Sequence, residues 1–187
     1  MSGGAHLDPS NKKIAMFISI LAVVLAFSET LGKSAQTLAL SLNIEASNHW
    51  AFFQAKTIRM TTLRTAAESA ELERARAASP QAKEALQKRI DDWKKTALRY
   101  DSEPETQEGR KELAVRAKEA EKKRDRNLAA YHHYELASAA AQIGIVLASA
   151  EVITGVVALM WGSAALGILA VAFCLIGFFA PLSVHLF

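Results

Sequence analysis

A carboxylate inside an apolar run is the group in this chain best placed to do chemistry. Glu151 lies in the stretch Val146-Leu-Ala-Ser-Ala-Glu151-Val-Ile-Thr-Gly155, within the apolar run from Leu136 to Met160. About 20 apolar residues span the hydrocarbon core of a bilayer, so this run is long enough to cross one. An ionisable side chain at that depth costs about 3 kcal/mol or more, and it normally faces a bundle interior or a polar cavity. Gly144, Ala148, Glu151, Gly155 and Ala158 recur at spacings of four and three, a stripe of small residues along which helices approach closely. Two readings follow: a protonated glutamic acid hydrogen-bonded to a neighbouring helix, or a proton- or cation-handling site.

Two more polar groups lie at membrane depth. A first apolar span, centred near Val23, places Glu29 about 9 Å toward the charged middle of the chain. In a span centred near Ala148, Gln142 lies a similar distance toward the same side. On antiparallel helices the two would sit level. Unpaired polar groups are unfavourable in hydrocarbon, which motivates a Glu29–Gln142 hydrogen bond.

Outside the apolar runs, His132 and Glu135 are three residues apart, and Glu45 and His49 four. Such pairs on facing helices are the raw material of a metal site. Measured from the membrane, however, Glu45 is about ten residues further out than His132, an offset of about 15 Å that separates them. The histidines beside Tyr131 and Tyr134 read as an interfacial belt, with no metal or cofactor bound. The single cysteine, Cys174, excludes an intramolecular disulfide framework and reads as a packing residue. No glycine-rich phosphate loop, nucleophile elbow or zinc motif occurs, so no catalytic residues are expected and the chain reads as a non-enzyme.

The elements that must hold these residues are legible from charge segregation. Twenty of the 22 Lys and Arg, and 16 of the 19 acids, fall between Gly32 and Glu135. Two apolar ends thus flank a charge-balanced middle, which reads as solvated helix faces and not as a nucleic-acid footprint. Met1–Gly4 reads as disordered and Asp8-Pro9 as a helix start. Lys12-Lys13 before an apolar stretch has the form of a signal peptide, but no small-x-small cleavage site follows, so it reads as an uncleaved span.

The expected order is a tail over 1–13, a first span over 14–31 and a helical hairpin domain over 32–135. A second span over 136–160, a turn over 161–163, a third span over 164–180 and a tail over 181–187 follow. Within the middle, no Pro or Gly occurs from Lys33 to Ala78, and Ser79-Pro80 makes the hairpin turn. Leu86, Ile90, Trp93 and Ala97 form one coiled-coil seam. Asp101-Ser-Glu-Pro104 breaks the chain again, with Ser102 and Glu105 as a capping box opening the last helix. The hairpin seams are alanine-rich and bury little area, so self-association is expected. Lys and Arg near the spans favour a cytoplasmic middle.

The segment Asn43-Ile-Glu-Ala-Ser-Asn-His-Trp50-Ala-Phe-Phe-Gln54-Ala-Lys-Thr-Ile-Arg59 resembles the N-x-E-A-S-N-x-W-A-F/Y-x-Q-A-K-x-I-R/K signature of a bacterial family of small membrane proteins classed as a domain of unknown function. Tyr134-Glu-Leu-Ala-Ser-Ala-Ala-Ala-Gln142-Ile-Gly-Ile-Val-Leu-Ala-Ser149 resembles its second block. The resemblance implies one span, a long helical region and a C-terminal pair of spans, in the bacterial inner membrane. It implies no activity, substrate or cofactor. It also implies basic residues between the last two spans, and Trp161-Gly162-Ser163 carries none. Trp50 and Phe53 share a helical face with Asn43, Ser47 and Gln54 beside it. This is a contact with the returning helix or a docking face for a partner protein.

The expectation is therefore an all-α protein with three transmembrane helices and a long antiparallel helical hairpin between spans one and two. Its partners are the lipid bilayer, further copies of itself and an unidentified protein. The functional expectation is a scaffold or accessory subunit, and the alternative is an oligomeric ion or proton channel using Glu151.

Overall fold

The computed structural model describes residues 9–184, with side chains from Asn11 onward. Met1–Gly4 and the capping role of Asp8 lie outside the described residues. The chain is all-helical: α1 Pro9–Arg76, α2 Pro80–Asp101, α3 Arg110–Thr154 and α4 Val157–Phe179. Three helices, α1, α3 and α4, contain stretches long and apolar enough to cross a membrane. The chain divides into two units, one of residues 1–40 and 124–187 and the other of residues 41–123. The hairpin unit is thus shorter than the expected 32–135.

In the hairpin unit, α1 runs out and α2 and α3 return in series. Ser79 caps α2, its Oγ accepting from the amide of Ala82, and Pro80 takes the first helical position where its missing N–H costs nothing. Ala67 and Ala70 of α1 pack on Ile90 of α2, with Leu86 and Trp93 against them. The seam over Leu86, Ile90, Trp93 and Ala97 therefore faces inward, and Ile90 and Ala97 are buried. Lys94 pairs with Glu71 across α2 and α1. Further along, Trp50 Nε1 donates to Glu121 Oε1 of α3 at 2.8 Å.

The link between α2 and α3 differs from expectation. The helix does not start at Glu105: residues 102–109 are a loop, and α3 begins at Arg110. Ser102 caps with Glu112 in place of Glu105. Its Oγ donates to Glu112 Oε1 at 2.6 Å, and the Glu103 amide donates to Glu112 Oε2. The cause is Gly109. A Cβ there would lie 2.4 Å from the Glu103 nitrogen and 2.7 Å from Ser102 Cα, so the loop closes over its missing side chain. These hydrogen bonds, that from Ser102 foremost, hold the Glu112 carboxyl below the usual carboxylate range against partial burial. Asp101 is held low likewise, first by Lys111 and then by Arg110.

In the other unit, α1, α3 and α4 pack through small residues. Ala140 and Ala141 meet Ala170, with Val24, Leu25 and Leu166 around them. Ala35, Ala130 and Tyr134 form a second cluster. A Cβ on Gly177 would touch Tyr134, His133 and the Ala130 carbonyl oxygen at 3.0–3.3 Å. Close approach of backbones is the packing mode expected where the surroundings are as apolar as the contact.

The turn between the last two helices also requires correction. Trp161-Gly162-Ser163 is not a turn but lies inside α4. The chain reverses at Gly155-Val156. Gly155 has φ +69°, a left-handed conformation that a side chain disfavours, and its amide still donates to the Glu151 carbonyl. The second apolar helix therefore ends six residues earlier than expected. The third starts seven residues earlier, so that α4 has 23 residues, or about 35 Å.

Candidate functional site

The corrected turn moves Glu151. It lies in the last turn of α3, three residues before Thr154, and not near the middle of a span. The stripe over Gly144, Ala148, Glu151, Gly155 and Ala158 is broken, because Gly155 is the turn and Ala158 belongs to α4. Glu151 is partly exposed, yet its Oε2 is buried with no hydrogen-bond partner among the described residues.

Glu29 and Gln142 are brought together. Gln142 Nε2 donates to Glu29 Oε1 at 3.2 Å and lies 3.4 Å from Ser138 Oγ. Both residues sit on an exposed flank of α1 and α3. Each satisfies part of the other's hydrogen-bonding capacity. Glu151 lies nine residues along α3 from Gln142, about 13 Å, so the three candidates form a pair and a separate group.

Three polar residues of this unit are fully buried: Ser28, His133 and Ser163. Ser163 Oγ donates to the Gly144 carbonyl at 2.6 Å, joining α4 to α3. Ser28 Oγ donates to the Val24 carbonyl and touches Cys174 Sγ at 3.8 Å. His133 Nε2 lies 3.2 Å from the Pro181 carbonyl oxygen and therefore carries the proton that it donates there. Its ring stacks on Phe173, and Nδ1 has no hydrogen-bond partner among the described residues. His133 fastens α3 to the segment that follows α4. The pairing with a backbone carbonyl left no side-chain spacing to read.

The signature face of the hairpin unit divides in two. Trp50 and Phe53 turn inward, ring edge to ring face at 5.4 Å. Trp50 bonds Glu121, and Arg110 lies over the Phe53 ring at 5.6 Å. Ser47 and Gln54 are exposed, as is Asn43, which has an interaction of its own.

The residues weighed as metal ligands stay in pairs. His49 Nε2 and Glu45 Oε1 are 3.6 Å apart, and His132 Nδ1 and Glu135 Oε2 are 3.8 Å apart. Among the described residues, no three His, Cys, Asp or Glu side chains converge.

The geometry is that of helices fastened to one another, over nearly the whole chain. The family model described as a domain of unknown function (DUF4337) matches residues 10–180. The chain belongs to this family. No curated protein and no solved structure matches it. For a DUF4337 chain, the match takes in all three apolar helices and the hairpin between them.

Proposed function

We propose that this DUF4337 chain is an integral protein of the bacterial inner membrane that works as a self-associating scaffold or accessory subunit. It performs no catalysis, uses no cofactor and binds no nucleic acid. Its hairpin lies in the cytoplasm and is presented to a protein partner. One observation carries the membrane reading. The helices of the first unit expose large apolar side chains along their length, among them Phe27 at 63%, Val146 at 65% and Ile168 at 73%. Water penalises a continuous surface of this kind, whereas lipid covers it at no cost. Self-association is supported by the exposed Glu29–Gln142 pair, a polar patch that a second copy would shield from lipid.

The second reading, an oligomeric ion or proton channel, is favoured by the buried, unpartnered Oε2 of Glu151. Its place in the last turn of α3 favours the scaffold, because a carboxyl near a helix end does not lie at mid-depth where it would line a pore. Proton and cation flux into liposomes carrying the purified protein, beside Glu151→Gln, separates the two. The scaffold reading expects no flux from either protein over a range of pH and voltage. Flux that the substitution abolishes, with oligomer mass unchanged, would overturn it.

A further inference from the structure

The outer face of α1 in the hairpin unit carries a lane that none of the described residues covers. Ile44, Ala51, Ile58, Thr65 and Leu72 recur every seven residues. Ser41, Asn48, Ala55, Thr62 and Ser69 recur with the same period, offset by three. Together they step along the helix at alternating spacings of three and four, the seam of a left-handed coiled coil. All ten are exposed, and none is charged. Ile44, Ile58 and Leu72 are 54–67% exposed, and Phe52 on the lane's edge is 61% exposed. The side of α1 that packs within the unit is different: Ala46, Met60, Ala67 and Ala70 are buried there. At about 100° per residue these positions fall roughly opposite the lane. A shallow groove follows the lane past Ile58, Thr62, Thr65 and Ser69.

Resting on the membrane reading above, we propose that this lane is where a second copy of the chain docks, with the two α1 helices parallel and in register. Three arguments select that occupant. A seam with a 3.5-residue period is matched along its length by a helix of the same period, and another copy supplies one. All copies cross the bilayer in the same sense, so their α1 helices run parallel and each lane position meets itself, as a two-fold interface requires. Self-meeting needs an uncharged lane, and this lane has no charge over 32 residues. Asn48 then faces Asn48, where side-chain amides can bond each other and fix the register. The edges carry one conflict, Glu68 toward Glu73 of the second copy, in the last turns of α1.

Size decides where this contact forms. Thirty-two residues give a lane about 48 Å long, and helices pack about 10 Å apart, so the footprint is roughly 480 Å² per copy. A standard stable interface takes about 800 Å² per partner. The lane alone therefore holds two copies weakly. Confinement of both to one bilayer raises their effective concentration and supplies the rest.

Cysteine crosslinking of the full chain in lipid nanodiscs tests the proposal, in a Cys174→Ala background. Ser41→Cys and Ser69→Cys lie 28 residues apart on the lane. Arg64→Cys and Lys88→Cys are exposed off it. Mild oxidation is expected to give covalent dimers at both lane positions, at least tenfold more than at either control. An antiparallel pair cannot crosslink like to like at both ends. A dimeric or larger mass in nanodiscs without lane-specific crosslinks would overturn the docking lane and leave self-association standing. A monomeric mass in every lipid tested would overturn both. Ile58→Glu with Thr62→Glu, on surface positions that the fold does not use, should reduce crosslinking at Ser69→Cys at least tenfold with helix content unchanged.

Discussion

The two units of this molecule differ most in the polar side chains that they bury completely. The hairpin unit packs Ile90 and Trp93 on alanines and keeps its charges at the rim, where Lys94 meets Glu71 and Lys111 meets Asp101. The other unit buries Ser28, His133 and Ser163 completely beside Leu21 and Tyr134, and exposes Phe27, Val146 and Ile168. The proposed bilayer placement of the latter unit accounts for the difference. In water, apolar area removed from contact stabilises by about 25 cal/mol per Å², and polar groups do best outside. In lipid that gain vanishes, and helices adhere through close backbone contact and satisfied hydrogen bonds. Gly177 against Tyr134 and Ser163 against the Gly144 carbonyl show that second mode.

If this contrast is right, truncating the hairpin core should have the largest effect. Ile90→Ala removes a side chain that is 1% exposed, at a cost of about 2–5 kcal/mol. Amide exchange is expected to accelerate through α2 and the facing part of α1. The hairpin signal should melt at a lower temperature. A smaller change is expected from Ser163→Ala, which removes one interhelical hydrogen bond at a cost of about 0.6 kcal/mol in a bilayer. Thermal unfolding in one lipid composition compares the two, and a cost for Ser163→Ala at or above that of Ile90→Ala would reverse the contrast.

The mildest effect should come from acid on the α2–α3 loop. Asp101 and Glu112 are held below their unfolded values, so the stability they add is present above the usual carboxylate range, about 3.9–4.3, and is lost as pH falls through their lowered values. Protection of the Glu103 amide, which is bonded to Glu112, relative to its exchange in the unstructured chain should fall over that acid window and stay flat from pH 5 to 8. A loss of protection centred near neutrality would contradict the assignment.

What the sequence disclosed follows the range of each signal. Ser79-Pro80 was legible because capping chemistry is local. The Glu29–Gln142 contact was legible because helical rise converts residue number into depth, and two antiparallel spans align equal depths. Gly155 was hidden because Thr154-Gly155 is no stronger a turn signal than Trp161-Gly162-Ser163, which α4 passes straight through. Pro104 drew the start of α3 too early, because the closure over Gly109 depends on a backbone contact between distant residues. His133 and Ser163 bond to the carbonyls of Pro181 and Gly144, and a backbone acceptor leaves no residue type to match.

The central claim is that one unit faces lipid and the other faces water. Spin labels at exposed positions of full-length protein in bilayers test it most directly, with Val23, Val146 and Ile168 in one unit and Arg64 and Lys88 in the other. The account predicts that relaxation at the first three is dominated by oxygen dissolved in the bilayer, and at the last two by a water-soluble nickel chelate. Chelate-dominated relaxation at Val23, Val146 and Ile168 would place those helices in water and contradict it.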